Sequence, residues 1–176
     1  MNKTVAGSLE SIDQMITFIE GLSDAEYQFC AKPWFDSSIG QHLRHIIDLY
    51  LALINRANAD VINYDVRRRG HGVESVRNIG LQELNGIRQW VSEITSEEIE
   101  QQTTVSTEVA MSSQQTAEFA SSFGRELCFA SSHLTHHLAL MAVIAKMTGK
   151  DVDPTLGLAA ATATHLREQE PTTCAR

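Results

Sequence analysis

The chain has 176 residues, with 22 acidic against 14 basic side chains and a formal net charge of −8. That length supports one domain with a real core, and the acidic balance argues against nucleic acid, whose phosphates need Lys and Arg. Cys30, Cys128 and Cys174 lack metal-type spacing and are odd in number, which argues against a disulfide framework and for a reducing, cytoplasmic setting.

The N-terminus lacks the apolar stretch of a secretory signal. The longest apolar run, Leu138 to Ala145, is far shorter than the ~20 residues that span a bilayer, so no membrane partner is expected. A first helix is predicted from Thr4 to Leu22, with Leu9, Ile12, Ile16 and Ile19 as its apolar stripe. Ser23-Asp24-Ala25-Glu26 has capping-box form and predicts a short helical turn. Lys32-Pro33-Trp34-Phe35 reads as a loop.

Ser38-Ile39-Gly40-Gln41 again has capping-box spacing and opens a second helix that runs to about Ile62. Asn63 to Gly72 reads as a polar loop. Its Arg67-Arg68-Arg69 run is either a solvated surface or an anion clamp at a pocket mouth. A third helix spans about Ser75 to Ile94, followed by a helical turn at Ser96 to Gln102. Val105, Thr107, Val109 and Met111 then alternate as in a strand, with Gln115 to Ala120 as a hairpin partner.

A fourth helix runs from about Ser122 to Thr148 and closes at Gly149. Cys128 reads as a small, half-buried residue on it. Residues 1–150 therefore read as one all-α, up-down four-helix bundle with a short β-hairpin between its third and fourth helices. Residues 151–176 read as an extension that packs around Leu156 to Ala161 and then frays.

Five of the seven histidines fall in two of these helices: His42 and His45, then His133, His136 and His137. At about 100° per residue, His133 and His137 fall at the centre of the fourth helix's apolar stripe and His136 at its edge. Residues at i and i+4 lie ~5–6 Å apart at Cβ, so two neutral imidazoles there can converge on one ion. His136 and His137 point apart and cannot both do so. The bland alternative is a pair of hydrogen-bonded core histidines, each neutral to avoid a desolvation cost of several kcal/mol. The same wheel favours His42 over His45 as the second helix's contribution. Glu126 faces inward about two turns before His133. It reads either as a buried partner of an arginine, in the 67–69 run or Arg44, or as a general base at a pocket mouth.

Ser38-Ile39-Gly40-Gln41-His42-Leu43-Arg44-His45-Ile46-Ile47-Asp48 resembles the second-helix motif of the DinB/YfiT-like family of metal-dependent helical proteins. His133-Leu134-Thr135-His136-His137 resembles its fourth-helix H-x-x-H-H motif. The likeness covers about Leu9 to Gly149. It implies a four-helix bundle, usually dimeric, with a divalent ion held by the helix-two histidine that precedes an acid by three positions and by the outer two of the helix-four set; three imidazole donors make zinc or nickel the expected ion. Carried over, these are His45, His133 and His137, with Asp48 as an orienting acid. Where many members continue with Arg-Gly-Gln, this chain has Leu138-Ala139-Leu140. The resemblance implies a small-thiol S-transferase or a hydrolase; Asp48, and Glu126 from its inward position on the wheel, are the candidate catalytic groups. The competing expectation is a non-catalytic module that binds metal or a small ligand.

Overall fold

The computed structural model describes residues 2–56 and 61–169. Four long helices account for most of the core. Helix α1 (Lys3–Glu20) is capped by Asn2 and buries Val5, Ile12, Met15, Ile16 and Ile19. The short α2 (Asp24–Gln28) and the long α3 (Ile39–Asn55) each begin with the capping box read from the sequence, at Ser23/Glu26 and Ser38/Gln41. Helix α4 (Arg77–Glu93) follows a short 3-10 turn at Gly72–Glu74, and α5 (Ser96–Ile99) is again closed by a capping box. Helix α6 (Phe123–Met147) packs on both α1 and α3, while α4 packs on the same two helices from the other side.

The all-α bundle expectation is overturned by a three-stranded mixed sheet. Strands β2 (Gln102–Glu108) and β3 (Thr116–Ser122) form the expected antiparallel hairpin. Strand β1 (Val61–Asn63) adds to its edge in parallel, with Val61 opposite Thr104 and Asn63 opposite Ser106. The second helix was expected to run through Ile62; instead α3 ends at Asn55 and Val61-Ile62 pair as strand. Ile62 and Val105 are buried, so the sheet shares the helical core instead of standing outside it. The alternation read through Met111 stops earlier: β2 ends at Glu108, and Val109 and Met111 are exposed.

Close backbone approach fixes how α3 meets the 3-10 turn. A Cβ on Gly40 would lie 2.7 Å from the Tyr27 ring and collide with the Glu74 carbonyl. Tyr27 is fully buried there and its hydroxyl donates to the Val73 carbonyl at 2.5 Å. Arg44 completes the join by donating to Glu74 at 2.9 Å.

Three smaller expectations also change. The stretch expected to fray forms α7 (Ala160–Gln169), a helix with no buried side chain. Cys128 is exposed, not half-buried. Helix α6 is long and apolar enough, on length and composition, to cross a membrane; in this fold its apolar face is covered by α1 and α3. Cys174 and the last part of the expected frayed tail lie outside the described residues.

Candidate metal centre and the adjoining cavity

The fully buried apolar residues of α6 are Phe123, Leu127, Ala130, Leu134, Leu138, Met141, Ile144 and Ala145. By the wheel their centre lies about a quarter-turn away from His133. The histidines expected at the stripe's centre therefore sit on its flank, partly buried, toward α3. Helix α3 is buried over a wider arc than one stripe, because α4, α6 and β1 all pack on it. That is why His45, beyond the apolar stripe, is also covered.

The result is a convergence of three rings. One ring nitrogen from each of His45, His133 and His137 lies within 4.8 Å of the others, an arrangement that could hold a metal ion. His45 Nε2 is 3.0 Å from His133 Nε2. Two neutral rings at that distance either share one hydrogen or turn both lone pairs to a common cation. Nitrogen ligands of a tetrahedral zinc ion, at ~2.0–2.1 Å from it, lie about 3.3 Å apart; the His45–His133 pair is already near that spacing, while the wider span within the trio, up to 4.8 Å, would close as the rings turn onto an ion. His136, one residue from His137, is exposed and outside the trio.

His42 sits behind this cluster. Its Nδ1 is 2.9 Å from His137 Nδ1, which leaves His137 Nε2 for an ion. A ligating histidine usually has such an outer partner, which fixes its tautomer and ring orientation. The helical wheel favours His42, but the structure groups His45 with His133 and His137 and leaves His42 beside His137. Among the described residues the His42 Nε2 is buried without a partner.

All four rings are held toward the neutral, metal-binding form. Burial, then the neighbouring His133, His45 and His42, pushes His137 down to about 3. Burial, then the Arg67 charge, pushes His45 down to about 4. His133 and His42 are lowered as well, first by burial and then by His136.

Asp48 does not touch His45. Its carboxylate accepts from Arg44 Nη1 at 3.1 Å, from the Arg68 backbone at 3.0 Å and from Arg68 Nε at 2.7 Å. Arg68 also pairs with Glu83 on α4 at 2.8 Å. The acid three residues after His45 thus pins the arginine-bearing loop onto α3.

Glu126 is buried, 2% exposed, and its partners differ from those expected. It accepts from Tyr64 Oη at 2.8 Å, Ser121 Oγ at 2.6 Å and Arg125 Nη1 at 2.9 Å. The paired arginine is its own chain neighbour, not one of the 67–69 run and not Arg44. The carboxylate ties β1's end, β3 and α6 together.

Between these groups lies a cavity of about 500 Å³. His45 and His133 form part of its lining, the sheet supplies Val105 and Phe119, and Glu126, Phe129 and Arg67 complete it. Phe129 stacks on His133 at 5.7 Å. The sequence reading named neither Phe129 nor the sheet wall, and offered Arg67 only as one of a run.

No family model matches the chain. A stretch of 109 residues, 62% of the chain, is 31% identical to FK506-binding protein 5 of Rhizopus delemar. The chain spans only 28% of that relative's length. This likeness to a segment of a longer protein assigns the chain to no family.

Proposed function

We propose that this protein is a divalent-metal-dependent enzyme of the DinB/YfiT-like kind, acting on a small molecule in the cavity beside His45 and His133. The observation that supports this reading is the convergence of His45, His133 and His137 at the edge of that cavity. Zinc or nickel would be held by these three imidazoles, a donor set that suits both ions and leaves coordination positions open to substrate. When bound, such an ion supplies Lewis acidity and makes a thiol or a water more acidic.

The chain's own residues do the rest. His42 holds the His137 ring in place through their Nδ1 contact. Burial keeps the rings neutral at ordinary pH, so no proton has to leave before a cation binds. Phe129 and Val105 line the cavity with apolar surface beside the reactive edge. Glu126, with three donors on its carboxylate, acts in this reading as a brace for the cavity wall. The proposed reaction is transfer of a low-molecular-weight thiol, with hydrolysis as the alternative, and the protein acts as a cytoplasmic homodimer.

The test is elemental analysis of protein purified without a histidine tag. One zinc or nickel per chain is expected, lost on His137→Ala. Equal metal content in the wild type and His137→Ala sinks the assignment. Thiol-transfer and hydrolysis assays on the loaded protein then decide between the two chemistries.

A further inference from the structure

The loop after β1 places one cation, Arg67, on the cavity wall with a single long hydrogen bond among the described residues. Arg67 lines the cavity and is partly buried. Its hydrogen bond among the described residues is a long one, Nη1 to the Val66 carbonyl at 3.4 Å. The acids around it are engaged elsewhere. Asp48 is taken by Arg44 and Arg68. Asp65 accepts from Thr107 Oγ1 at 3.3 Å and from the Glu108 backbone at 2.8 Å. Glu126 is taken by Tyr64, Ser121 and Arg125.

A guanidinium has five N–H donors in a planar fork, and removing it from water without acceptors is unfavourable. Burial lowers the Arg67 pKa, although the nearby Asp48 and Asp65 charges oppose the shift without hydrogen-bonding the guanidinium. Its charge also weighs on both His45 and His133, so it lies close to the histidine edge of the cavity.

We propose that Arg67 is the recognition residue for a carboxylate on the substrate, whose apolar body lies against Phe129, Phe119, Leu49 and Val105. The proposal rests on the cavity being the working site, and so deepens the function proposed above. The planar fork matches a carboxylate through two parallel hydrogen bonds. A single negative charge suits the cavity better than a phosphate dianion, because the Glu126 carboxylate already lines the same space. A substrate anchored on Arg67 presents its remaining atoms to His45 and His133.

Benzoate is a suitable probe, with uncharged benzamide as its control. Chelator-treated wild-type protein and Arg67→Gln are titrated with each by NMR, so that no bound metal competes for the carboxylate. Saturable benzoate binding is expected in the wild type, with benzamide about 10-fold weaker or worse. Arg67→Gln should weaken benzoate by about 10-fold and leave benzamide unchanged. Equal affinity of the wild type for benzoate and benzamide overturns the proposal. So does equal benzoate affinity in wild type and Arg67→Gln, or no saturation by about 10 mM benzoate. Metal analysis of the same two proteins reads the histidine assignment separately: Arg67→Gln should keep the wild-type metal content, and carboxylate binding by chelated protein stands even if the histidines hold no ion.

Discussion

Two cavities among the described residues differ in what lines them, and the larger is the less informative. It measures about 840 Å³ and lies between α1 and the segment after α6, lined by Leu9, Phe18, Val152 and Leu156. Its charged groups are solvated: the Asp13–Arg88 pair at its edge is nearly half exposed on both sides. The smaller cavity has partly buried histidines, a buried carboxylate and a poorly satisfied arginine in contact with one space. Volume alone does not locate chemistry. Converging groups whose ordinary protonation has been displaced by burial are the stronger sign.

The contrast breaks most sharply at the histidines. His137→Ala and His45→Ala should each abolish stoichiometric metal while leaving the fold intact, since both rings lie on the flank of the core. Elemental analysis with circular dichroism checks both halves. Glu126→Ala should keep metal but cost about 2–4 kcal/mol, because the buried Tyr64 hydroxyl and the half-buried Ser121 hydroxyl lose their acceptor. Arg125 contributes less, since its side chain is 64% exposed and rehydrates. Glu126→Gln should recover about half of the loss. Urea denaturation that finds Glu126→Ala as stable as wild type would remove the brace.

Acid should tell the two sides apart as well. In chelated protein, His45 and His137 have folded pKa values near 4 and 3, below the ordinary value of 6.5. The unfolded chain therefore binds more protons between about pH 6.5 and those values, so stability is full above pH 6.5 and falls as pH drops through that window. Each group contributes at most about 1.4 kcal/mol per pH unit, and partial solvation brings the expected total loss by pH 4 to about 2 kcal/mol. The chelated His45→Gln/His137→Gln double variant should show a flatter profile; an identical profile would remove the histidines as its cause.

His42→Ala should weaken metal about 10–100-fold without abolishing it, as expected for an outer partner of a ligand. Competition with a chromogenic chelator measures this, and complete loss would return His42 to the ligand set. At the larger cavity, Asp13→Ala should change stability by less than about 1 kcal/mol and leave metal untouched.

The sequence disclosed what is periodic and local. The four long helices, both capping boxes at Ser23 and Ser38, and the β2–β3 hairpin all follow from patterns within one element. The H-x-x-H-H spacing put His133 and His137 on one helix face. What stayed hidden depends on contacts between distant segments. Strand β1 is three residues long, too short for an alternating pattern to register, and its partner lies about forty residues away. Missing it made an all-α bundle of a mixed fold and hid how the loop bearing Tyr64 and Arg67 reaches the cavity. The wheel also centred α6's stripe on the histidines, because two apolar-flanked rings look like core when Leu134 and Leu138 are given no extra weight. Asp48 was visible as an acid near His45, but its use as the anchor for Arg68 needs the loop's position. The Arg125–Glu126 pair was missed because adjacent helical residues point apart, and only a long side chain folding back joins them.

The parallel join of β1 to β2 has a consequence for how the site comes into being. Antiparallel strands can meet across a tight turn, but these two are separated by the whole of α4 and α5. Their pairing closes a long loop, whose entropy must be met before any contact rewards it. The helices, built from local contacts, can assemble first, and the loop bearing Tyr64 and Arg67 docks only when β1 finds its register. In the native protein the same order runs backwards: the β1 edge is the natural place for partial opening, with amide exchange there outpacing that of α6. Opening that edge would draw Tyr64 off Glu126 while Arg68 stays tied to Asp48 and His133 and His137 stay in place on their helix.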